Sequence, residues 1–168
     1  MTPRVLVAGI GNIFLGDDGF GVEVAGRLGS RPAPAGVRVE DFGIRGVHLA
    51  YELLDGYDAL VLVDAVPLGD EPGTLAVIEP DPAEPPEAGD DVAPVVDAHS
   101  MSPGVVLGML AGLGGTVGRI LVVGCQPATL DEGIGLSPPV AAAVDPAVEL
   151  CERLVAEILE SVGEESTA

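Results

Sequence analysis

Short apolar runs bounded by glycine or proline recur along this chain and predict β-strands. The first run ends in Gly9 and is apolar on both faces, which is typical of a strand buried in a parallel sheet. Four later runs have similar length and are rich in Val, Leu and Ile. The predicted strands are residues 4–9, 37–42, 59–66, 74–78 and 119–125.

Helical periodicity separates the first three of these runs. Phe20, Val24 and Leu28 recur every fourth residue after a glycine-rich turn, which predicts an amphipathic helix. Glu23 and Arg27 are spaced for an i,i+4 ion pair on the exposed side of that helix. A second helical face, ending at Gly56, is predicted by the residues Val47, Ala50, Tyr51 and Leu54.

Two further helices are predicted in the second half of the chain. Ser102 and Pro103 are suited to the cap and first turn of a helix. A row of glycines follows on one face of that helix and favours close packing against the sheet. The row comprises Gly104, Gly108 and Gly112. Ser137 and Pro138 open a final helix, and the Asp145-Pro146 pair predicts an interruption in it.

The alternation of strands and helices predicts an α/β fold with about five mostly parallel strands and helices on both faces. The link before strand 74–78 is too short for a crossover helix, so this strand should be antiparallel and lie at an edge. We expect one domain over residues 1–162 and a disordered tail over 163–168. Residues 79–98 are rich in proline and acid, which predicts an exposed, mobile loop.

Composition narrows the function classes. The 168 residues carry a formal net charge of −20, from 27 acidic and 7 basic side chains, which disfavours binding to nucleic acid or anionic lipid. The chain has no Lys, so neither a P-loop nor a pyridoxal site can be built. The uncharged stretch between His99 and Arg119 is broken by glycines, which favours a buried helix over a membrane span. We expect a cytoplasmic, monomeric protein.

The two cysteines and the two histidines differ as candidate metal ligands. Cys125 and Cys151 are too few and too far apart for a disulfide framework or a zinc knuckle, which favours free buried thiols. His48 lies off the apolar face of its helix and is interpreted as a surface residue. His99 has no such helical context and is a candidate ligand.

Three acids fall where predicted strands give way to loops. Asp17 and Asp18 follow the first strand, and Asp64 ends the apolar run of the third. If the strand order begins 2-1-3, ligands should bind in the crevice between the first and third strands, with these acids on both sides. Together with His99 they would offer oxygen and imidazole ligands to a divalent metal such as nickel, zinc, manganese or iron.

The acids are not equivalent as candidates. Asp17 is suited to a local capping or orienting role, whereas Asp18 is the better ligand candidate. Asp64 ends a strongly apolar strand, where a carboxylate needs a partner. A dinucleotide site is disfavoured because Phe14 replaces the third glycine of the fingerprint. A phospho-receiver has similar acid spacing but also uses a Lys that this chain lacks.

Five motifs together resemble the nickel-iron hydrogenase maturation endopeptidases. They are GIGNIFLGDDGFG, DFGIRG, LVLVDAV, DAHSMSP and GIGLSPPV. The resemblance implies an endopeptidase whose catalytic and metal-contacting residues fall on Asp18, Asp64 and His99. The first of these is often Glu in the family and is one methylene shorter here. The positions that the resemblance implies shape the cleft are Gly11, Asn12, Asp17, Gly43 and Gly46.

The resemblance also implies a substrate and a metal. The enzymes of this family remove a carboxyl-terminal peptide from the hydrogenase large subunit after nickel insertion. The expected partner is therefore the nickel-loaded precursor, and nickel is expected to be carried by that substrate, with another divalent metal able to replace it in isolation. Neither a GxSxG elbow nor an HExxH helix is present, so no side-chain nucleophile is assigned. A noncatalytic phospho-receiver-like or metal-binding module is the alternative.

Overall fold

The computed structural model describes residues 3–80 and 103–166 and confirms the predicted α/β class in this part of the chain. Five strands form one sheet, flanked by four α-helices and one short 3-10 helix. In chain order the elements are β1 (Val5–Ile10), the 3-10 helix (Gly16–Gly19), α1 (Phe20–Gly29), β2 (Val37–Gly43), α2 (Gly46–Leu53), β3 (Ala59–Ala65), β4 (Leu75–Ile78), α3 (Pro103–Gly112), β5 (Arg119–Cys125) and α4 (Pro138–Ser166).

The strand order is β2-β1-β3-β5-β4, so the condition under which the crevice lies between the first and third strands is met. The first four strands in this order are parallel, and β4 pairs antiparallel with β5 at the edge. This arrangement follows from the length of the link, because only nine residues, 66–74, separate β3 from β4 and no crossover helix fits there. The carboxyl ends of β1, β3 and β5 therefore share one edge of the sheet.

Alternating strand residues supply two cores, one on each face of the sheet. Val5, Val7 and the equivalent residues of β3 pack against α1 and α4, together with Phe20. Leu6, Ala8 and their neighbours pack against α2 and α3. Since both faces are covered, β1 is buried along its whole length and β3 is buried as far as Asp64, as their apolar sequences predicted.

Two helical faces differ from the prediction. The buried face of α2 is formed by Gly46, Leu49, Ala50 and Leu53, whereas Val47, Tyr51 and Leu54 are exposed. Apolar residues cover more than half of the surface of this helix and its polar residues are His48 and Glu52, so periodicity alone could not choose which apolar residues are buried. In α3 the buried residues are Val106 and Leu110, while Gly108 and Gly112 face open space rather than the sheet.

The predicted interruption at Asp145-Pro146 is also wrong, because α4 continues through Pro146 to Ser166. An interior proline costs about 3 kcal/mol of helix stability. Val144, Ala147, Val148 and Cys151 lie on both sides of it in one buried cluster, and their packing offsets this cost. The helix reaches into the predicted tail over 163–168, as far as Ser166. Residues 167–168 lie outside the described part, and the domain boundary at 162 stays a prediction.

Several sequence predictions fall outside the described residues. They concern His99, Ser102 and most of the acidic loop at 79–98. The cysteine prediction is confirmed, since Cys125 and Cys151 are both free and buried. Burial raises the pKa of the Cys125 thiol to about 11 and that of Cys151 to about 12, so both thiols stay protonated at neutral pH. None of the helices in the described ranges combines the length and apolarity needed to cross a bilayer.

Candidate active site at the carboxyl edge of the sheet

The segment that carries the acidic pair lies directly on the ends of β1 and β3. Gly21, in the first turn of α1, makes this possible because it has no side chain. A Cβ atom there would lie 2.1 Å from the Val63 carbonyl oxygen and 2.4 Å from that of Ile10. Gly9 has the same role from the strand side, since its Cβ would lie 2.1 Å from the Gly21 carbonyl oxygen. Backbone therefore touches backbone, and Asp18 is brought beside the end of β3.

Asp64 is the more deeply buried of the two candidate metal ligands, with 4% of its surface exposed. Among the described residues, the Ala65 backbone N–H donates a hydrogen bond to the Asp64 Oδ1 atom at 2.8 Å. Burial raises the pKa of this carboxyl to about 8, and the nearby charge of Asp18 adds to the effect. Asp64 is therefore largely protonated at neutral pH until a cation or a proton acceptor approaches it.

Asp18 is half-buried on the other side of the crevice. Its Oδ2 atom accepts a hydrogen bond from the Asn12 N–H at 2.7 Å. Partial burial raises the pKa of Asp18, and the Asn12 hydrogen bond opposes that rise. The structure thus brings together two of the three predicted ligands, one carboxyl from the 3-10 helix and one from β3.

The turn between β1 and the acids is fixed by glycine and Asn12. Gly11 has a φ of +138°, and a Cβ there would lie 1.8 Å from the Asp18 carbonyl oxygen. Its N–H donates to the Gly43 carbonyl oxygen at 3.0 Å. The Asn12 Oδ1 atom accepts from the Phe14 N–H at 2.9 Å and closes a local turn.

The predicted pair Gly43 and Gly46 occupies the end of β2 and the start of α2. Gly43 has a φ of +55°, in the left-handed region that favours glycine, and the chain turns there. Gly46 is the buried first residue of α2. Gly43 borders the crevice through its hydrogen bond with Gly11, whereas none of the backbone hydrogen bonds between the described residues joins Gly46 to the acids.

Asp17 faces away from the other acids and holds a distant loop. It is fully buried, and its two oxygens accept hydrogen bonds from backbone N–H groups at 2.7 to 3.1 Å and from the Ser137 hydroxyl at 2.8 Å. The backbone donors are Ala128, Thr129 and Ser137. Burial by itself would raise the pKa of Asp17, but these hydrogen bonds outweigh it and the pKa is lowered. Asp17 therefore anchors the loop between β5 and α4.

Sequence reasoning missed Gln126, which joins two loops at this edge. Its Oε1 atom accepts from the Leu68 and Gly69 N–H groups, and its Nε2 donates to the Pro127 carbonyl oxygen at 3.1 Å. The loop that follows Asp64 is thereby held to the loop that Asp17 anchors. The available signal was compositional, because Gln126 is the only Gln in the chain.

The third predicted ligand, His99, lies outside the described residues, so its distance from the two acids is not part of this geometry. Within residues 3–80 and 103–166, no group of three or more His, Cys, Asp or Glu side chains is placed to hold a metal ion. The predicted surface position of His48 is confirmed, since this residue is exposed on α2.

The fold and the site define a class: a doubly wound α/β protein with an acidic crevice where the strand order reverses. Comparison with known proteins narrows the class. The model of the hydrogenase maturation protease family matches residues 22–154. The hydrogenase expression/formation protein HupM of Azotobacter chroococcum is 36% identical over 158 residues, which cover 93% of this chain and 73% of that protein.

Two further comparisons agree with the first. The hydrogenase 2 maturation protease of Escherichia coli is 32% identical over 153 residues, 87% of each chain. The solved structure of the E. coli hydrogenase maturating endopeptidase HybD superposes with a TM-score of 0.70 at 30% identity, covering 94% of this chain and 93% of that one. The chain belongs to the hydrogenase maturation protease family. It is accordingly a hydrolase, an endopeptidase of hydrogenase maturation, and the noncatalytic alternative is set aside.

Proposed function

We propose that this endopeptidase removes the carboxyl-terminal propeptide of a nickel-iron hydrogenase large subunit after nickel insertion. In this proposal the nickel of the precursor is the recognition element and binds to Asp18, Asp64 and His99. The observation that carries the proposal is the pair of carboxyls at the β1/β3 crevice, of which Asp64 is nearly inaccessible and has a pKa of about 8. Such a pair is costly without a cation and favourable with one.

The side chains proposed as metal ligands are of a type that binds nickel, which the substrate would carry. Two carboxylates and an imidazole are oxygen and nitrogen ligands that accept nickel, a metal of intermediate softness. Asp64 must lose its proton before it binds a metal, and the positive charge of the metal lowers its pKa and favours that loss. Recognition by charge would make cleavage conditional on metal loading.

The chain's own residues supply positioning and proton transfer. Bound metal would supply Lewis-acid chemistry at the scissile carbonyl or at a water molecule. We assign the proton acceptor for that water to one of the two carboxyls, since both lie at the crevice and burial raises the pKa of each. We further propose that the enzyme is monomeric and acts in the cytoplasm.

The test is cleavage of a purified large-subunit precursor, with and without nickel, followed by intact-mass measurement. We expect the protein to remove a carboxyl-terminal peptide from the nickel-loaded form alone. Asp64→Asn and His99→Ala should fold normally, as judged by circular dichroism, and should not cleave. Asp70→Asn, an exposed acid on the loop after β3, is the matched control and should cleave normally. Normal processing by either site variant would remove the assignment.

A further inference from the structure

Three exposed apolar side chains lie together next to the acidic turn. Ile13, Phe14 and Ile134 have 45%, 60% and 78% of their surface exposed, and we call them the Ile134 surface. The exposure of Phe14 is unusual for this chain, because its other two phenylalanines, Phe20 and Phe42, are buried. A cluster of this kind on an acidic protein marks a site of interaction rather than a failure of burial.

The two loops that carry the Ile134 surface are fixed to one another by their backbones. Leu15 and Gly133 form an isolated parallel bridge. The Gly133 N–H donates to the Phe14 carbonyl oxygen, and the Gly16 N–H donates to the Gly133 carbonyl oxygen, both at 2.9 Å. The surface is therefore preformed, and binding would cost little loop-ordering entropy.

A groove of about 360 Å³ opens between these loops and the adjoining helices. Ile13, Ile134 and Leu136 line it from the loops, and Val144 lines it from α4. Such a groove accepts an aliphatic or aromatic side chain of a partner, which is how interfaces concentrate their binding free energy.

The Ile134 surface is continuous with the acidic turn. Asn12 links them, because its side-chain Oδ1 accepts from the Phe14 N–H and its backbone N–H donates to the Asp18 carboxylate. A partner seated on Phe14 and Ile13 would thus lie beside the crevice of the proposed cleavage site.

The rim of the surface is acidic. Asp131 and Glu132 are exposed on the same loop as Ile134, and Glu23 lines the groove. The one cation that lines the groove, Arg27, is paired with Glu23 and Asp145. The complementary partner therefore presents apolar side chains flanked by Lys or Arg.

We propose that the Ile134 surface is the docking site for a segment of the precursor in which an apolar side chain is flanked by basic residues. This inference rests on the proposed function and adds to it a binding determinant that is independent of nickel. The apolar anchor enters the groove, the basic residues face Asp131 and Glu132, and the segment holds the scissile region at the crevice.

The experiment measures binding of the large-subunit precursor, in nickel-free and nickel-loaded forms, to the wild type and three variants by calorimetry. Ile134→Asp should weaken binding of both forms about tenfold, the loss expected for one apolar contact. Asp64→Asn should weaken binding of the nickel-loaded form only. Tyr51→Ser removes a similarly exposed apolar side chain from α2, 57% exposed, and should bind as the wild type does.

The charged rim adds a kinetic readout. The double variant Asp131→Asn/Glu132→Gln should slow association several-fold at low salt and leave it unchanged at high salt. If the double variant associates as fast as the wild type at low salt, the inference that basic residues flank the apolar side chain of the segment is wrong.

The outcomes separate the two proposals. Wild-type affinity in Ile134→Asp, or an equal loss in Tyr51→Ser, would overturn the docking site and leave the proposed function in place. Binding that depends on Ile134 without any cleavage would support the docking site and overturn the proposed function. Absence of binding overturns both. If the wild type dimerises and Ile134→Asp does not, the occupant is a second copy and the inference is wrong.

Discussion

The neighbouring residues Asp17 and Asp18 have opposite surroundings. The difference distinguishes a carboxyl that stabilises the fold from one that is suited to the chemistry of the site. Asp17 is saturated with hydrogen bonds from the loop between β5 and α4, and its pKa is lowered. Asp18 faces the crevice with Asp64, which accepts one hydrogen bond from the described residues, that of the Ala65 N–H, and has a pKa of about 8. A carboxylate saturated with hydrogen bonds stabilises the fold, whereas one with a raised pKa in a crevice is suited to a chemical role.

The largest expected effect is on activity and comes from exchanging the acids for amides one at a time. Asp64→Asn should lower the rate of precursor cleavage by about 10³-fold or more, because the amide cannot bind a cation as a carboxylate does. Asp17→Asn should leave the specific activity of the folded fraction within a few-fold of wild type. Intact-mass assays on samples matched for folded protein measure both. Equal losses of activity in Asp64→Asn and Asp17→Asn would contradict the assignment of a chemical role to Asp64 and a structural role to Asp17.

The next effect is on stability. Asp17→Asn places an amide NH₂ among groups that are themselves donors, so the free energy of unfolding should fall by about 3 kcal/mol. Urea denaturation followed by circular dichroism measures this change, with exposed Asp70→Asn as the control. A loss below about 1 kcal/mol would show that the loop between β5 and α4 is held by other contacts.

The pH dependence of stability should have opposite signs for the two acids. Between about pH 4 and pH 8, folded Asp64 keeps a proton that the unfolded chain has lost, so its contribution to stability falls as the pH rises. Relative to Asp64→Asn, the wild type should lose about 2 kcal/mol between pH 5 and pH 7. Asp17, with a lowered pKa, stabilises above its unfolded pKa of 3.8 and loses this contribution as the pH falls below it.

Denaturation curves of the wild type and Asp64→Asn at several pH values, without divalent metal, test this prediction. A constant difference between the two proteins across the range would mean that Asp64 is charged in the folded state, and the contrast with Asp17 would disappear.

The smallest effect should come from Gln126, which joins the two regions. Gln126→Ala removes the acceptor for the Leu68 and Gly69 N–H groups and should cost about 1 kcal/mol of stability. If the loop after Asp64 depends on this link, kcat should fall while the KM for precursor stays near the wild-type value. Gln126→Glu keeps an acceptor oxygen and should recover part of the loss, and a failure to do so would assign the effect to packing.

The strands and the antiparallel edge position of β4 were predictable, because apolar runs between glycines mark the strands and the link before β4 is too short for a crossover helix. The contrast between Asp17 and Asp18 was only partly predictable. Both acids have the same local sequence context, and what distinguishes them is the loop at residues 128–137, more than 100 residues away in the chain. The exposed face of α2 was mispredicted because the apolar residues of that helix cover more than half of its surface.

Other features depend on tertiary contacts that leave no local pattern. The continuity of α4 through Pro146 reflects buried packing on both sides of the proline. The convergence of Asp18 on Asp64 follows from the strand order. The close approach of the two backbone segments that carry these acids depends on Gly9 and Gly21, whose sequence context indicates only a turn and a helix.

The contact of Gly9 and Gly21 has a consequence for redesign of metal preference. Since main chain rests on main chain there, the spacing of the two carboxyl-bearing segments is set by atomic radii and cannot relax to accommodate a longer side chain. If the nickel of the precursor binds there as we propose, a substitution such as Asp18→Glu would move the carboxylate oxygen toward that ion while the scaffold stays in place. In that proposal the side-chain length at position 18 sets the ion radius that the crevice accepts, and directed evolution for another metal should begin there.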